Sequence, residues 1–225
     1  MVSTESAGVF WPLISRLGEA QILLPALLLA CALLAWRRGA ARWAGAWLAL
    51  TATAAALTTA TKVAFIGYGW GLPALDFTGI SGHAMFAAAI WPPLLRLAEG
   101  HWPLRRPGSG VLLGALLAAL VAVSRVMVGA HSWSEVAAGC ALGGAVSAAA
   151  LWRPSLPRPP LWRGVPLLLA AWGVLGTVAA PPSRTHDWVT RLALAAAGRQ
   201  HPFLRSVPAP GGARLLPPAV GPGRH

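Results

Sequence analysis

Residues 111–129 read VLLGALLAALVAVSRVMVG. The first thirteen carry no polar side chain, then Ser124-Arg125 interrupts and the apolar run resumes. A helix rises about 1.5 Å per residue and a bilayer core is about 30 Å thick, so a stretch of this length suits one membrane crossing. Five further runs surround it: Gln21 to Trp36, Trp43 to Ile66, His83 to Ala98, Glu135 to Trp152 and Leu161 to Ala180. The third closes on Pro92, Pro93 and Arg96, which predicts a kinked or snorkelling end. The expected fold is an all-α integral membrane protein with six transmembrane helices in a single bundle.

Composition agrees. Of 225 residues, 56% are hydrophobic and 11% charged, with a mean hydropathy of +0.60. A soluble domain carries about 25% charged residues, and a disordered chain is poor in apolar ones; both classes are excluded. Cys31 and Cys140 each lie inside an apolar run, which suggests two small buried hydrophobes rather than a disulfide framework or a zinc site.

The net charge of +12 comes from 17 arginines and the single lysine, Lys62, against six acids. The arginines sit between apolar runs and so read as orientation signals, not as a nucleic-acid surface. Arg37, Arg38 and Arg42, then Arg96, Arg105 and Arg106, then Arg153, Arg158 and Arg163 occupy three connections of one face, with Glu99 as the lone acid. By the positive-inside rule that face is cytoplasmic. Trp36, Trp43, Trp152 and Trp162 border it, and Trp70 and Trp133 border the other, as an interfacial belt. The arginine-bearing tail after Ala180 falls outside under this count, and tails obey the rule weakly.

The expected organisation is an N-terminal interfacial segment over 1–20, the bundle over 21–180, an interfacial helix within 181–205, and a disordered Pro/Gly-rich tail over 206–225. Glu5 and the lack of a basic cluster ahead of the first run suggest an uncleaved anchor. In the tail helix, Trp188, Leu192 and Ala196 share one side. Gly139 and Gly143 form a small-xxx-small pair for close helix packing.

Ionisable groups at membrane depth are costly and each needs an explanation. Lys62 lies near the outer end of the second run, Ser81-Gly82-His83 open the third, Ser124-Arg125 end the fourth, and His131 and Glu135 flank the start of the fifth. Alternating topology brings all of them to one face. Lys62 and Arg125 are permanent cations, and arginine grips phosphate oxygens bidentately. Ser81 is placed as a helix N-cap, where free N–H groups favour an anion. His131 and Glu135 are four apart; the carboxylate can hold the Nδ1 proton and leave Nε2 as a nucleophile. His83 is then available to protonate a leaving group.

Ser124-Arg125, five residues, His131, three residues, Glu135 resembles the third signature of the type 2 phosphatidic acid phosphatase superfamily, whose last position is usually Asp. Ser81-Gly82-His83 is similar to the second signature and Lys62 to the opening of the first. The resemblance implies His131 as the nucleophile forming a phosphohistidine, Glu135 as its orienting group and His83 as general acid. Lys62, Ser81, Gly82, Ser124 and Arg125 would bind the phosphate, with no metal and no cofactor. It further implies a lipid phosphate or diphosphate as substrate, at the outer face of a bacterial inner membrane. Two positions depart: Gly69-Trp70 stands where the first signature has Arg-Pro, and Ile80 where proline precedes Ser-Gly-His. The missing arginine leaves a second reading open, a catalytically weak relative that binds an anionic lipid without turnover. A haem held by His83 and His131 would leave Lys62, Arg125 and Glu135 unexplained, and charges at one edge do not suit a transporter. His101, His186, His201 and His225 read as solvated loop or tail residues. The sequence leaves oligomeric state open.

Overall fold

The computed structural model describes residues 4–35, 40–99, 106–152, 172 and 185–205. The described residues form seven α-helices in chain order: α1 Thr4–Arg16, α2 Ala20–Ala35, α3 Ala41–Tyr68, α4 Gly82–Leu97, α5 Ser109–Met127, α6 Trp133–Leu151 and α7 Thr185–Ala197. Among the described residues the only β pairing is an isolated Leu72–Phe77 bridge beside a short 3-10 turn, Pro73–Leu75. Among the described residues four stretches are long and apolar enough to cross a membrane: Val9–Ala35, Ala41–Tyr68, Ser109–Met127 and Trp133–Leu151. The expected sixth run, 161–180, lies outside the described residues except for Trp172, whose indole donates to the Ile22 carbonyl at 3.0 Å. The tail beyond 205 is likewise outside them.

The expected third run forms α4, at 16 residues shorter than those four stretches, and it is the axis of the bundle. Ala84, Met85, Ala87, Ala89 and Ile90 are fully buried, with α5 and α6 packed along it. Glycine makes the approach close enough. A Cβ on Gly143 would lie 2.9 Å from Ala88 Cβ and Ala89 N, and one on Gly114 would lie 2.6 Å from Pro92 N. Without a hydrophobic drive between helices in lipid, such backbone-to-backbone packing supplies the cohesion. Gly139 packs similarly, within 3.1 Å of Ala84 Cβ for an added Cβ.

Pro92 and Pro93 lie inside α4, and the helix runs through both to Leu97. A proline lacks the N–H that the carbonyl four residues earlier would accept, so these two leave Ala88 and Ala89 without helical donors. Both carbonyls are taken from neighbouring helices. Ser147 Oγ of α6 donates to Ala88 O at 2.5 Å, and Trp47 Nε1 of α3 donates to Ala89 O at 3.0 Å. Arg96 ends the helix paired with Glu99 at 2.8 Å.

The tryptophan belt needs one correction. Trp43 is buried, and its indole donates to Ala150 O at 2.7 Å; it pins α3 to α6 because a buried indole N–H must find an acceptor. Trp70, Trp133 and Trp152 are exposed, whereas Trp36 and Trp162 fall outside the described residues. In α7, Trp188 and Leu192 face outward while Val189 and Ala193 are buried. That buried side packs on α3, where Tyr68 Oη donates to Ala196 O at 3.0 Å.

Candidate active site

The start of α6 is set locally. Ser132 is the N-cap, its Oγ accepting from Glu135 N at 3.4 Å, and Glu135 Oε2 accepts from Ser132 N at 3.2 Å. This reciprocal pair is a capping box, which places a carboxylate in the first turn. The same Oε2 meets His131 Nδ1 at 2.6 Å. The other oxygen, Oε1, accepts from Thr78 N at 2.7 Å and Thr78 Oγ1 at 2.6 Å, and lies 2.6 Å from Arg205 NH2. A fully buried carboxylate with this many donors is held as the anion and in one orientation. An ionised carboxylate only accepts, so His131 Nδ1 carries the proton and Nε2 keeps its lone pair.

Burial pushes the His131 imidazole below the usual histidine range. The hydrogen bond to Glu135 opposes this, Lys62 reinforces it, the Glu135 charge opposes it, and Arg125 adds a smaller push downward. The ring is therefore neutral at neutral pH, the form a nucleophile requires.

A cavity of about 720 Å³ opens at this end of the bundle, lined by His131, His83, Lys62, Gly82 and Arg125 among others. Lys62 rises from the last turns of α3, with its stem against Gly79 and its ammonium 4.0 Å from where Gly82 would carry a Cβ. Gly79 has φ +148, in the region that favours glycine, and this lets the loop close over Lys62. Arg125 ends α5, and its NH1 donates to Ser15 Oγ of α1 at 2.5 Å. The segment 1–20, expected at the interface, thus contributes through α1 to holding a cavity arginine. Ser81 caps α4 with extended backbone, but its hydroxyl makes no capping bond. Ser81 N donates to Glu135 O at 3.1 Å, tying the starts of α4 and α6 together.

Three buried polar atoms here have no hydrogen-bond partner among the described residues, Ser81 Oγ, Arg125 Nε and Thr190 Oγ1. Buried polar groups are nearly always satisfied, and an exception beside a cavity marks room for a ligand. Together the cations, the orphaned donors and the α4 N-terminus suit an anion.

Of the sequence-predicted residues, His131, His83, Lys62, Gly82 and Arg125 line the cavity, and Glu135 stands behind His131. Ser81 is buried beside its wall. Ser124 does not open onto it: the side chain is fully buried and Oγ donates to Val121 O at 2.6 Å, within its own helix. Thr78, Arg205, His186 and the carboxylate of Glu19 are among the lining residues that were not anticipated. His186, expected in solvent, is exposed yet borders the cavity from α7. Among the described residues no three His, Cys, Asp or Glu side chains group to hold a metal ion.

A protein of Klebsiella pneumoniae, described as an uncharacterized 22.5 kDa protein in the cps region, is 40% identical over 138 residues, covering 61% of this chain and 66% of the relative. No solved structure matches the chain. The PAP2 superfamily model matches residues 61–158, the stretch that holds Lys62, His83, Arg125, His131 and Glu135. Over that stretch the chain is similar to the PAP2 superfamily.

Proposed function

We propose that this protein is a metal-independent membrane lipid phosphatase, acting on a phosphomonoester or diphosphate of a lipid through a phosphohistidine. Members of the superfamily are generally phosphatases, which supports the reaction class. The observation that carries the reading is the His131–Glu135 pair at 2.6 Å facing a cavity shared with His83, Lys62 and Arg125.

In this reading Lys62, Arg125, Gly82 N–H and Ser81 grip the phosphate oxygens. His131 Nε2 attacks phosphorus, and the bond from phosphorus to the lipid oxygen breaks as His83 gives that oxygen a proton. His83 then takes a proton from water, whose oxygen attacks phosphorus, and the phosphorus–nitrogen bond breaks to release phosphate and restore His131. Glu135 stabilises the imidazolium character that His131 acquires. Phe65, Ile66 and Phe86 give the cavity an apolar wall that suits the first carbons of a lipid chain. The arginine-rich connections favour the inner membrane with the site on the outer side.

The test is phosphate release by detergent-purified protein from a panel of lipid phosphates and diphosphates in excess chelator, beside His131→Ala. Release that survives chelation and falls at least ~10³-fold in the variant is the expected result. Unchanged release by the variant would overturn the mechanism. Gly69 in the arginine position favours the second reading, binding of an anionic lipid without turnover; multiple turnovers on any lipid would remove it.

A further inference from the structure

One wall of the cavity comes from outside residues 61–158. After α7 the chain turns back at Gly198 and lies across the end of α3, where Phe203 N donates to Ile66 O at 2.9 Å. The Phe203 ring sits 3.1 Å from where Gly69 would carry a Cβ, and Arg199 stacks on that ring at 4.2 Å. Gly69 itself has φ +74 and caps α3. Thus the position where the resembled family has an arginine is glycine here, covered by an aromatic ring from the C-terminal segment. Two residues later the same segment delivers Arg205 to the cavity.

We propose that Arg205 is a phosphate-binding residue, carried into the site by the docked segment 198–205 to form with Lys62 and Arg125 a three-cation pocket for the phosphate of the substrate. The inference rests on the phosphatase reading and names a ligand to the phosphate beyond the family signatures. Arg205 NH2 is anchored on Glu135 Oε1 at 2.6 Å and Thr78 Oγ1 at 3.2 Å. Its NH1 has a longer contact, 3.4 Å to Asp76 Oδ2, a carboxylate more than half exposed to solvent. That leaves NH1 as the donor an arriving phosphate oxygen takes. The anchor has an electrostatic purpose as well. Glu135 stands directly behind His131, and its negative charge would repel an anion approaching Nε2; the guanidinium on its other oxygen offsets that charge.

The experiment uses the full chain in detergent and compares wild type with Arg205→Ala, Arg205→Lys and Phe203→Ala, with His131→Ala as reference. Inorganic orthophosphate is the probe, both as competitive inhibitor of lipid turnover and as ligand in calorimetry. Loss of one charge-assisted contact predicts roughly 10- to 100-fold weaker orthophosphate binding and a matching fall in kcat/KM for Arg205→Ala. Arg205→Lys should recover part of this, and Phe203→Ala should fall between. Because the guanidinium offsets the Glu135 charge, Arg205→Ala should also move the acid limb of the pH profile upward. Unchanged orthophosphate binding in Arg205→Ala overturns the proposal whether or not the acid limb moves, since Arg205 would then act only through Glu135. Should Arg205→Ala fail to fold, the lysine and Phe203 variants decide by the same readouts. If wild type turns over no lipid, the phosphatase reading fails separately, and calorimetry of orthophosphate still decides Arg205.

Discussion

The two ends of α4 solve the same problem in opposite ways. Near its C-terminal end, two prolines strip donors from the Ala88 and Ala89 carbonyls, and both are taken by Ser147 and Trp47. At its N-terminal end, Ser81 Oγ and the neighbouring Arg125 Nε are buried with no hydrogen-bond partner among the described residues. Both regions lie deep in an apolar bundle, where each unmet polar group costs free energy. Groups are satisfied at one end and orphaned at the other, and in the proposed reading the orphaned end is the one that takes the ligand.

That contrast makes predictions of unequal size. Glu135→Gln should strike hardest, because the amide presents an N–H as well as an acceptor and no longer specifies the His131 tautomer. A fall in kcat of roughly 10²- to 10⁴-fold is expected in steady-state phosphate release, and near-normal turnover would break the assignment of that end as the reacting one. Next comes pH. With its pKa depressed chiefly by burial, His131 stays neutral down to a pH below the ordinary histidine value of about 6.5. The acid limb of the kcat/KM profile should fall by about tenfold per unit below that pKa. An acid limb centred above the ordinary value would contradict the burial.

Ser81→Ala should weaken orthophosphate inhibition by about tenfold. Because it deletes an orphaned buried hydroxyl, thermal stability should hold or rise, and a clear drop in Tm would mean the hydroxyl is structural. Smallest in activity is Trp47→Phe. It strands the Ala89 carbonyl and should cost about 1–3 kcal/mol of stability while kcat and KM stay unchanged. A selective loss of kcat there would blur the division between the two ends.

Much of this was legible in the sequence where the signal is local. His131 and Glu135 are a helical turn apart, and the capping box that seats Glu135 lies within residues 132–135. Ser81-Gly82-His83 opens a helix whose cap can be read from the chain. What was not legible depends on contacts between distant segments. Nothing around Arg205 marks it for Glu135, since their meeting depends on α7 packing on α3 and on Phe203 finding Gly69. Thr78 has no local pattern either; its two bonds to Glu135 arise from loop closure over Lys62. Trp43 reads as an interfacial residue by position, yet Ala150 lies where its indole can reach. Ser124 follows the signature spacing, but its hydroxyl turns back on its own helix.

The paired prolines also bear on how the chain enters a bilayer. A segment of 16 residues with two stripped carbonyls is a poor candidate to cross lipid alone. Among the described residues, its unmet acceptors are quenched by Trp47 from an earlier helix and Ser147 from a later one. The burial of α4 is therefore coupled to the presence of α6 as well as α3. Shortening the chain before Ser147 should leave α4 accessible to labelling from the aqueous side, whereas the complete bundle should shield it.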